Sequence, residues 1–374
     1  MFNFLNKNPK KKDLLGHTVK MMSSSIKVNF DFEAYAQKHI FNLMSKNSEY
    51  GFYYYPYGYL FRYPKWGTIN EMGFRCKENT YEVRQAYPDR LIVAVFGGST
   101  GFSVLLPDKE TFSCQMEEIL NNDEELLAKT GKKFKVVNLS HPGNVLINQI
   151  INYLLFCQRL NPDVVVSHYA SNDLCTGQHT NRTFLSKYGI CYVDVLEAWG
   201  RKIHDADDVA IDYDFSDPSS PDFKPVESQN TPQDIIRACH EKIIQFEQIV
   251  RASGAFFIGG FQPWISSKKN LSPAEESAAK AYNPYYQKIY QNTVLLMDMY
   301  EDLLQKEQLP YILSLHDLFK DLSKEITHFG DVVHMLPPGD RVIAEAYAKK
   351  IRSCFLNDQP LAKKESYEKV KTNR

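Results

Sequence analysis

Two distant segments of the chain carry residue types that together could activate a hydroxyl group. Asp331 and His334 lie three positions apart in one loop, and Ser99 lies far upstream in the segment GGST. A serine hydroxyl is a weak nucleophile until a base takes its proton, and histidine is suited to that task near neutral pH. An aspartate that reaches the second ring nitrogen orients the histidine. These residues therefore predict nucleophilic catalysis by Ser99, with His334 as the base and Asp331 as its orienting carboxylate.

Two further residues could stabilise the negative charge that develops on the oxygen of an attacked carbonyl group. Gly143 lies in the segment HPGN, and Asn172 lies in the segment ASNDL. The backbone N–H groups of Ser99 and Gly143 and the side-chain amide of Asn172 would supply three donors for an oxyanion hole. Each residue also has a structural interpretation, because serine, glycine and asparagine are all common in turns and helix caps.

The elements that must position these residues alternate between strands and helices. Apolar runs predict strands at 91–96, 134–140, 163–170 and 255–261, with a short fifth strand within YILSLHDLF. Helices are predicted at about 145–160, 233–253, 284–307 and 338–355, and one more is predicted to begin near Pro107 with Asp108 as its N-cap. This alternation predicts an α/β fold with a doubly wound parallel sheet, in which ligands bind at the carboxyl ends of the strands. GGST, HPGN and ASNDL all follow predicted strands.

Four segments, in this order, resemble the sequence blocks of the SGNH, or GDSL-like, hydrolase superfamily. VFGGSTGFS resembles the first block, with Gly98 where an aspartate is usual, and NLSHPGN resembles the second. ASNDL resembles the third block, with Ala170 in place of a glycine, and DVVHMLPPG resembles the last. The likeness covers about residues 89–355 and is to bacterial members, in which a segment like INEMGFR (69–75) lies just upstream.

The resemblance implies a flavodoxin-like, three-layer α/β/α fold and a serine esterase. It assigns Ser99, Asp331 and His334 to catalysis and Ser99, Gly143 and Asn172 to the oxyanion hole. We expect hydrolysis of a short acyl ester, chiefly an O-acetyl group, on a carbohydrate or surface-glycan precursor through an acyl-serine intermediate. Two alternatives stay open: an acyltransferase that passes the acyl group to a sugar, and a glycan-binding module without catalysis.

Three other residues near the predicted site have less specific patterns. His141 follows the second strand and could contact substrate. Trp264 follows the fourth strand on the same edge of the sheet, so it either lines the site or packs against neighbouring elements. His168 lies within the third strand and is predicted to be a core histidine.

Outside the hydrolase-like region, residues 1–88 are predicted to form an accessory region and residues 356–374 a disordered tail. The accessory region contains a predicted helix from Phe32 to Met44 and the stretch GFYYYPYGYLFRYP, which is predicted to form turns and short edge strands. Its tyrosines either stack on sugar rings or form the apolar side of an added layer. INEMGFR is predicted to form a turn with Arg75 exposed. A polar insertion at about 176–231 follows Asn172 and is expected to cover the site.

Composition narrows the classes of protein and site. The chain has 374 residues and a formal net charge of -1, which gives no reason to expect nucleic-acid binding. Its seven cysteines contain no C-x-x-C pair, so neither a disulfide framework, a metal site nor a cofactor is predicted. The sequence shows no secretory signal and no apolar run of the roughly 20 residues that a membrane span needs. We therefore expect a cytoplasmic protein that acts on a small-molecule or glycan ester.

Overall fold

A computed structural model of the protein describes residues 52–55, 58–61, 67–70, 73–157, 160–178, 230–280 and 284–357. The side chains of 52–61 and 284–289 are not described. The predicted helix at 32–44, the polar insertion between 179 and 229, and the tail after 357 lie outside the described residues. The aromatic stretch contributes two strands, β1 (Phe52–Tyr55) and β2 (Gly58–Phe61), which pair antiparallel as short strands.

The central sheet contains five parallel strands within the described residues. They are β3 (Leu91–Gly97), β4 (Phe134–Asn138), β5 (Val164–Tyr169), β6 (Phe256–Phe261) and β7 (Ile312–Ser314). Their order across the sheet is β4-β3-β5-β6-β7, which is the flavodoxin-like arrangement in which the first strand lies between the second and the third. The doubly wound sheet that the strand and helix pattern predicts is therefore confirmed.

Helices connect these strands and cover both faces of the sheet. The described helices are α1 (Val83–Ala86), α2 (Ser99–Phe102), α3 (Phe112–Asn122), α4 (Glu124–Thr130), α5 (Leu146–Phe156), α6 (Ser171–Gly177), α7 (Pro232–Ala252), α8 (Pro273–Lys280), α9 (Pro284–Glu307), α10 (Leu315–Leu318) and α11 (Pro337–Leu356). Short 3₁₀ turns span Asp108–Glu110 and Ile265–Ser267. The beginning of α7 shows why these segments are helical, because Thr231 and Asp234 form a capping box and Pro232 occupies the first turn.

The core lies on both sides of the sheet, as the continuous apolar runs require. In β3, Ile92 and Phe96 are fully buried on the side covered by α5, α7 and α9. Val93 and Val95 are fully buried on the opposite side, which is covered by α3, α4 and α11. Successive residues of a strand point to opposite faces, so a strand covered on both faces needs apolar residues at every position.

Two expectations about the segments around β3 are wrong. Asp108 does not cap a helix, because α3 begins at Phe112 and its cap is Thr111, whose side chain accepts a hydrogen bond from the N–H of Cys114 (3.3 Å). Arg75 is not exposed, since only 7% of its surface is accessible, and it pairs with Asp108 instead.

The end of the predicted accessory region also packs into the α/β unit. Phe74 and Val83 are fully buried in the same core cluster as Ile92 of β3. Within INEMGFR, residues 71 and 72 lie outside the described residues. Asn70 accepts hydrogen bonds from the N–H of Gly73 at its carbonyl (3.0 Å) and from the N–H of Phe74 at its side chain (3.0 Å). Among the described residues, none of the helices combines the length and the apolar composition that crossing a bilayer demands.

Candidate active site

The candidate site lies where the winding of the sheet changes direction. The chain leaves β3 through α3 on one face of the sheet and leaves β5 through α7 on the other face. A crevice therefore opens beyond the carboxyl ends of these two neighbouring strands. Ser99 begins α2 directly after β3, and Asn172 lies in α6 directly after β5. The fold thus brings together two residues that are distant in the sequence.

Ser99, His334 and Asp331 form a continuous hydrogen-bonded triad. The Nε2 atom of His334 is 2.7 Å from the hydroxyl oxygen of Ser99, and its Nδ1 atom is 2.7 Å from Oδ2 of Asp331. The other carboxylate oxygen of Asp331 accepts hydrogen bonds from the backbone N–H groups of Val333 (2.8 Å) and His334 (2.7 Å). With Nδ1–H donating to Asp331, Nε2 is left to accept the serine proton.

The charges of the triad favour proton transfer to His334. Burial acts to lower the pKa of His334, but the neighbouring Asp331 carboxylate outweighs it, so this pKa is raised above that of an ordinary histidine. For Asp331, burial acts to raise the pKa, whereas His334 and the two backbone N–H groups lower it below its ordinary value. Asp331 is therefore an anion near neutral pH and stabilises the imidazolium that forms when Ser99 attacks.

A buried ion pair fixes the loop that carries Asp331 and His334. Lys268 donates to Oε2 of Glu275 (2.7 Å), and both side chains are completely buried. Oε1 of Glu275 accepts hydrogen bonds from the backbone N–H groups of His328 (2.8 Å) and Phe329 (3.1 Å), at the start of the loop. Within the loop the N–H of Gly330 donates to the carbonyl of His334 (2.8 Å). The base is therefore held by a compact loop with a charged anchor.

Gly98 and Asn172 fit together at the predicted oxyanion hole. A Cβ atom at position 98 would clash with the Nδ2 atom of Asn172, so a larger residue there would require the amide to shift. One N–H of Asn172 donates to the carbonyl of Asn144 (2.8 Å), which orients the amide, and its second N–H is then available. Glycine at position 98 therefore leaves room for the Asn172 amide in its present position.

The three predicted oxyanion donors are partly exposed, although their neighbours in the sequence are buried. Ser99, Gly143 and Asn172 are each flanked on both sides by buried residues. Among the described residues, neither the N–H of Ser99 nor that of Gly143 donates a hydrogen bond. For Ser99 this is usual, because an N–H in the first turn of a helix such as α2 has no partner within the helix. Gly143 has a φ of 80°, a conformation that favours glycine.

The residues beside Asn172 fix its position. The carboxylate of Asp173 is buried and accepts hydrogen bonds from the N–H of Leu146 (3.0 and 3.3 Å), which ties the loop of Asn172 to the loop of Gly143. Asp173 therefore has a structural role at this site. Ala170, where the family usually has glycine, has a φ of 98°. This conformation is strained for alanine and explains why a glycine is usual at this position.

The structure does not support substrate contact by His141 or Trp264. His141 is 1% exposed and packs on the ring of Phe74 (4.7 Å between centroids), and burial lowers its pKa to about 4. Trp264 is 4% exposed, and its indole N–H donates to the hydroxyl of Ser171 (2.8 Å). Both side chains are enclosed by packing. The expectation that His141 contacts substrate is therefore corrected, and of the two alternatives for Trp264 the structure shows packing. His168 is fully buried, as predicted for a core histidine.

Arg75 is a residue of the site that sequence reasoning placed at the surface. Its Nη1 atom donates to the carbonyls of Phe102 (2.7 Å) and Ser103 (2.8 Å), and its Nη2 atom donates to the carbonyl of Leu106. Its Nε atom donates to Asp108 (2.9 Å). The guanidinium therefore holds the turn that follows Ser99, and INEMGFR supplies this anchor.

These groups can carry out acyl transfer. A hydroxyl, a base, an orienting carboxylate and candidate oxyanion donors converge on one edge of the sheet, which meets the requirements of nucleophilic catalysis at a carbonyl. Among the described side chains, no three of the His, Cys, Asp and Glu type are grouped as a metal ion would need.

Comparison with known proteins finds no family model that matches the chain and no matching curated protein. Solved structures do match. An acetyl xylan esterase, AlAXEase, is 13% identical with a TM-score of 0.38, and the match covers 70% of this chain and 100% of that one. An inhibitor-bound aryl esterase of M. smegmatis is 14% identical with a TM-score of 0.37, covering 70% and 99%. A member of the lipolytic G-D-S-L family from Veillonella parvula is 9% identical with a TM-score of 0.37, covering 69% and 97%.

These similarities are too remote to assign the chemistry, which is argued from the side chains of this chain. The strand order and the four sequence segments around one edge of the sheet are properties of the chain itself. The chain therefore has the doubly wound α/β fold that its sequence predicts.

Proposed function

We propose that this protein is a serine esterase that removes a short acyl group, chiefly O-acetyl, from a carbohydrate. The observation that carries the proposal is the triad, in which His334 lies 2.7 Å from both the hydroxyl of Ser99 and the carboxylate of Asp331. A binding module has no need of a base with an orienting carboxylate. The intact triad therefore favours catalysis over the non-catalytic alternative.

In the proposed first half-reaction, the Ser99 hydroxyl oxygen attacks the carbonyl carbon of the ester and its proton passes to Nε2 of His334. The carbonyl oxygen becomes an oxyanion, for which the N–H groups of Ser99, Gly143 and Asn172 are the donors. The ester C–O bond then breaks, and the imidazolium returns its proton to the leaving alcohol. The products are the free alcohol and an acyl-serine.

In the second half-reaction, water attacks the carbonyl carbon of the acyl-serine and gives a proton to His334. When the bond to the Ser99 oxygen breaks, His334 returns that proton to the serine. The carboxylic acid leaves, and the enzyme regains its starting state. If a sugar hydroxyl attacked the acyl-serine in place of water, the protein would be an acyltransferase. The identity of the acceptor therefore separates the two activities.

The loops around the nucleophile contain buried polar side chains. Thr100 is buried and donates to the side chain of Gln262 (3.2 Å), which is itself buried. Ser140 and Asn144, on the neighbouring loop, are also buried polar residues. A long acyl chain requires an apolar lining at the site, so the acyl length that the protein prefers tests the short-acyl assignment.

The test is hydrolysis of aryl acetate, butyrate and octanoate by the wild-type protein and by His334→Ala, followed by release of acetate from acetylated xylooligosaccharides. We expect turnover that is fastest with acetate and lost in the variant. Turnover that is unchanged in folded His334→Ala, or none by the wild type on any ester, would overturn the proposal. Faster turnover of octanoate would overturn the short-acyl assignment, and appearance of an acylated sugar acceptor would identify a transferase.

A further inference from the structure

A buried carboxylate, Asp340, links the helix that follows His334 to the turn that follows Ser99. Asp340 lies in the first turn of α11, the helix that begins three residues after His334, and it is 1% exposed. Its Oδ2 atom accepts hydrogen bonds from the hydroxyl of Ser103 (2.6 Å) and from the N–H of Phe112 (2.8 Å). Ser103 ends α2, the helix that Ser99 begins. Asp340 therefore joins the helix behind the base to the turn behind the nucleophile.

The other oxygen of Asp340 makes no hydrogen bond within the described part of the chain, although it is buried. The charged groups that act on this carboxylate are Arg75 and His334. Arg75 holds the carbonyl of Ser103 from the other side (2.8 Å) and is itself paired with Asp108. The neighbouring elements α2 and α3 contribute neutral donors, the Ser103 hydroxyl and the Phe112 N–H. Asp340 is thus a buried acid with two neutral donors, the cationic Arg75 as a neighbour, and His334, which becomes cationic during the reaction.

We propose that Asp340 is a positioning residue for Ser99 and a second carboxylate that, when ionised, stabilises protonated His334. The inference rests on the proposed function, because it assigns a role in the reaction of the same triad. His334 becomes a cation as the tetrahedral intermediate forms, and a nearby anion favours that form. Asp331 contacts His334 directly. Asp340 lies in the helix that follows the His334 loop, and it holds the turn after Ser99 through Ser103.

The pKa values of Asp340 and His334 are both raised above their ordinary values. Burial raises the pKa of Asp340 to about 7, against the opposing effects of Ser103, the Phe112 N–H, Arg75 and His334. The pKa of His334 is raised above that of an ordinary histidine, with Asp340 contributing after Asp331. Interacting groups of this kind lose their protons in coupled steps. The acid limb of the rate profile should therefore depend on both residues.

The first test compares Asp340→Asn with Glu345→Gln, an equal change of charge at an exposed residue of the same helix. The measurement is kcat and KM for an aryl acetate from about pH 5 to 9. We expect the midpoint of the acid limb to move to lower pH by about half a unit or more in Asp340→Asn, with KM nearly unchanged. Glu345→Gln should behave like the wild type. An unmoved midpoint in folded Asp340→Asn, or equal shifts in both variants, would overturn the proposal.

A second test needs no variant at Asp340. The imidazole resonances of His334 in the wild-type protein are followed by NMR between about pH 5 and 9. We expect two titration steps, one for the ring itself and one for the nearby acid, and a single step would overturn the coupling. This measurement does not require turnover, so it also separates failure of the inference from failure of the proposed esterase activity.

Discussion

Two arginines, one at the amino ends of the parallel strands and one at their carboxyl ends, make the same kind of contact. At the amino edge, Arg84 donates to the carbonyls of Leu160 (3.0 Å) and Arg90 (2.9 Å) and to the carboxylate of Asp163 (2.8 Å). These partners immediately precede β5 and β3. At the carboxyl edge, Arg75 likewise holds backbone carbonyls and one carboxylate.

The two arginines differ in the segments that they hold. Arg84 joins loops that carry none of the proposed catalytic groups, and 26% of its side chain is exposed. Arg75 holds the turn after Ser99, and only 3% of its side chain is exposed. The same contacts should therefore stabilise the fold at one edge and position a reacting group at the other. Paired variants at the two edges can separate these roles.

The largest expected difference in kcat is between substitutions of two carboxylates, Asp331 at the carboxyl ends of the strands and Asp163 at their amino ends. Asp331→Asn should lower kcat roughly 10⁴-fold, because the histidine loses its orienting anion. Because Asp331 raises the pKa of His334, wild-type activity should rise with pH through a midpoint above that of an ordinary histidine, and the variant's midpoint should lie lower. Asp163→Asn should lower the melting temperature and leave kcat unchanged. Rate profiles and thermal melts of both variants test this, and equal losses of kcat would refute it.

A smaller difference in kcat is expected between substitutions of Asn172 and Asn121. Asn172→Ala should lower kcat about 100- to 1000-fold if its amide binds the oxyanion, with little change in KM. The matched control is Asn121→Ala, since Asn121 makes hydrogen bonds with both the N–H (2.8 Å) and the carbonyl (3.1 Å) of Phe134 at the start of β4. That control should lose stability alone. A folded Asn172→Ala protein with the wild-type rate would rule out the oxyanion role.

The next largest difference in kcat is expected between substitutions of Arg75 and Arg84. Arg75→Ala is expected to lower kcat by about 10- to 100-fold, because a small displacement of Ser99 is enough to misalign the attack. Arg84→Ala should change only the free energy of unfolding. Urea denaturation and steady-state kinetics measure the two effects separately. If Arg75→Ala loses stability but keeps its full rate, the two arginines are equivalent and the comparison fails.

The smallest change in rate is expected at the anchor of the base loop. Glu275→Gln leaves Lys268 buried without a counter-charge and should destabilise the fold by about 3 kcal/mol or more. We expect kcat to fall by less than about 10-fold, since the hydrogen bonds within the loop persist. Glu276→Gln, at the exposed neighbouring position, should alter neither quantity. Unfolding curves that coincide for the two variants would contradict the anchoring role.

The sequence was sufficient for the parts of the site that depend on local spacing. Asp331 lies three residues before His334 and bonds the backbone of the same loop, so their pairing follows from a short pattern. The apolar runs predicted the strands, and the ends of parallel strands share an edge. For this reason the placement of Ser99 and Asn172 near each other was also predictable.

The missed residues depend on contacts between distant segments. Arg75 meets its carbonyl partners 27 to 31 positions later in the chain, and Asp340 meets Ser103 at a separation of 237 residues. A charged residue in a turn is normally exposed, and no local pattern shows that its partners are buried carbonyls. His141 was misplaced for the same reason, because it packs on Phe74, and the packing of Trp264, whose indole bonds Ser171, could not be separated from a place in the site.

The most direct test of the central claim is the intact mass of the protein after reaction with a fluorophosphonate. We predict that the wild-type protein gains one adduct, that peptide mapping places it on Ser99, and that Ser99→Ala gains none. The labelling rate should rise with pH as His334 loses its proton, because only the neutral imidazole can accept the serine proton. A folded wild-type protein that gains no adduct, or an adduct that persists in Ser99→Ala, would contradict the assignment of Ser99 as an activated nucleophile.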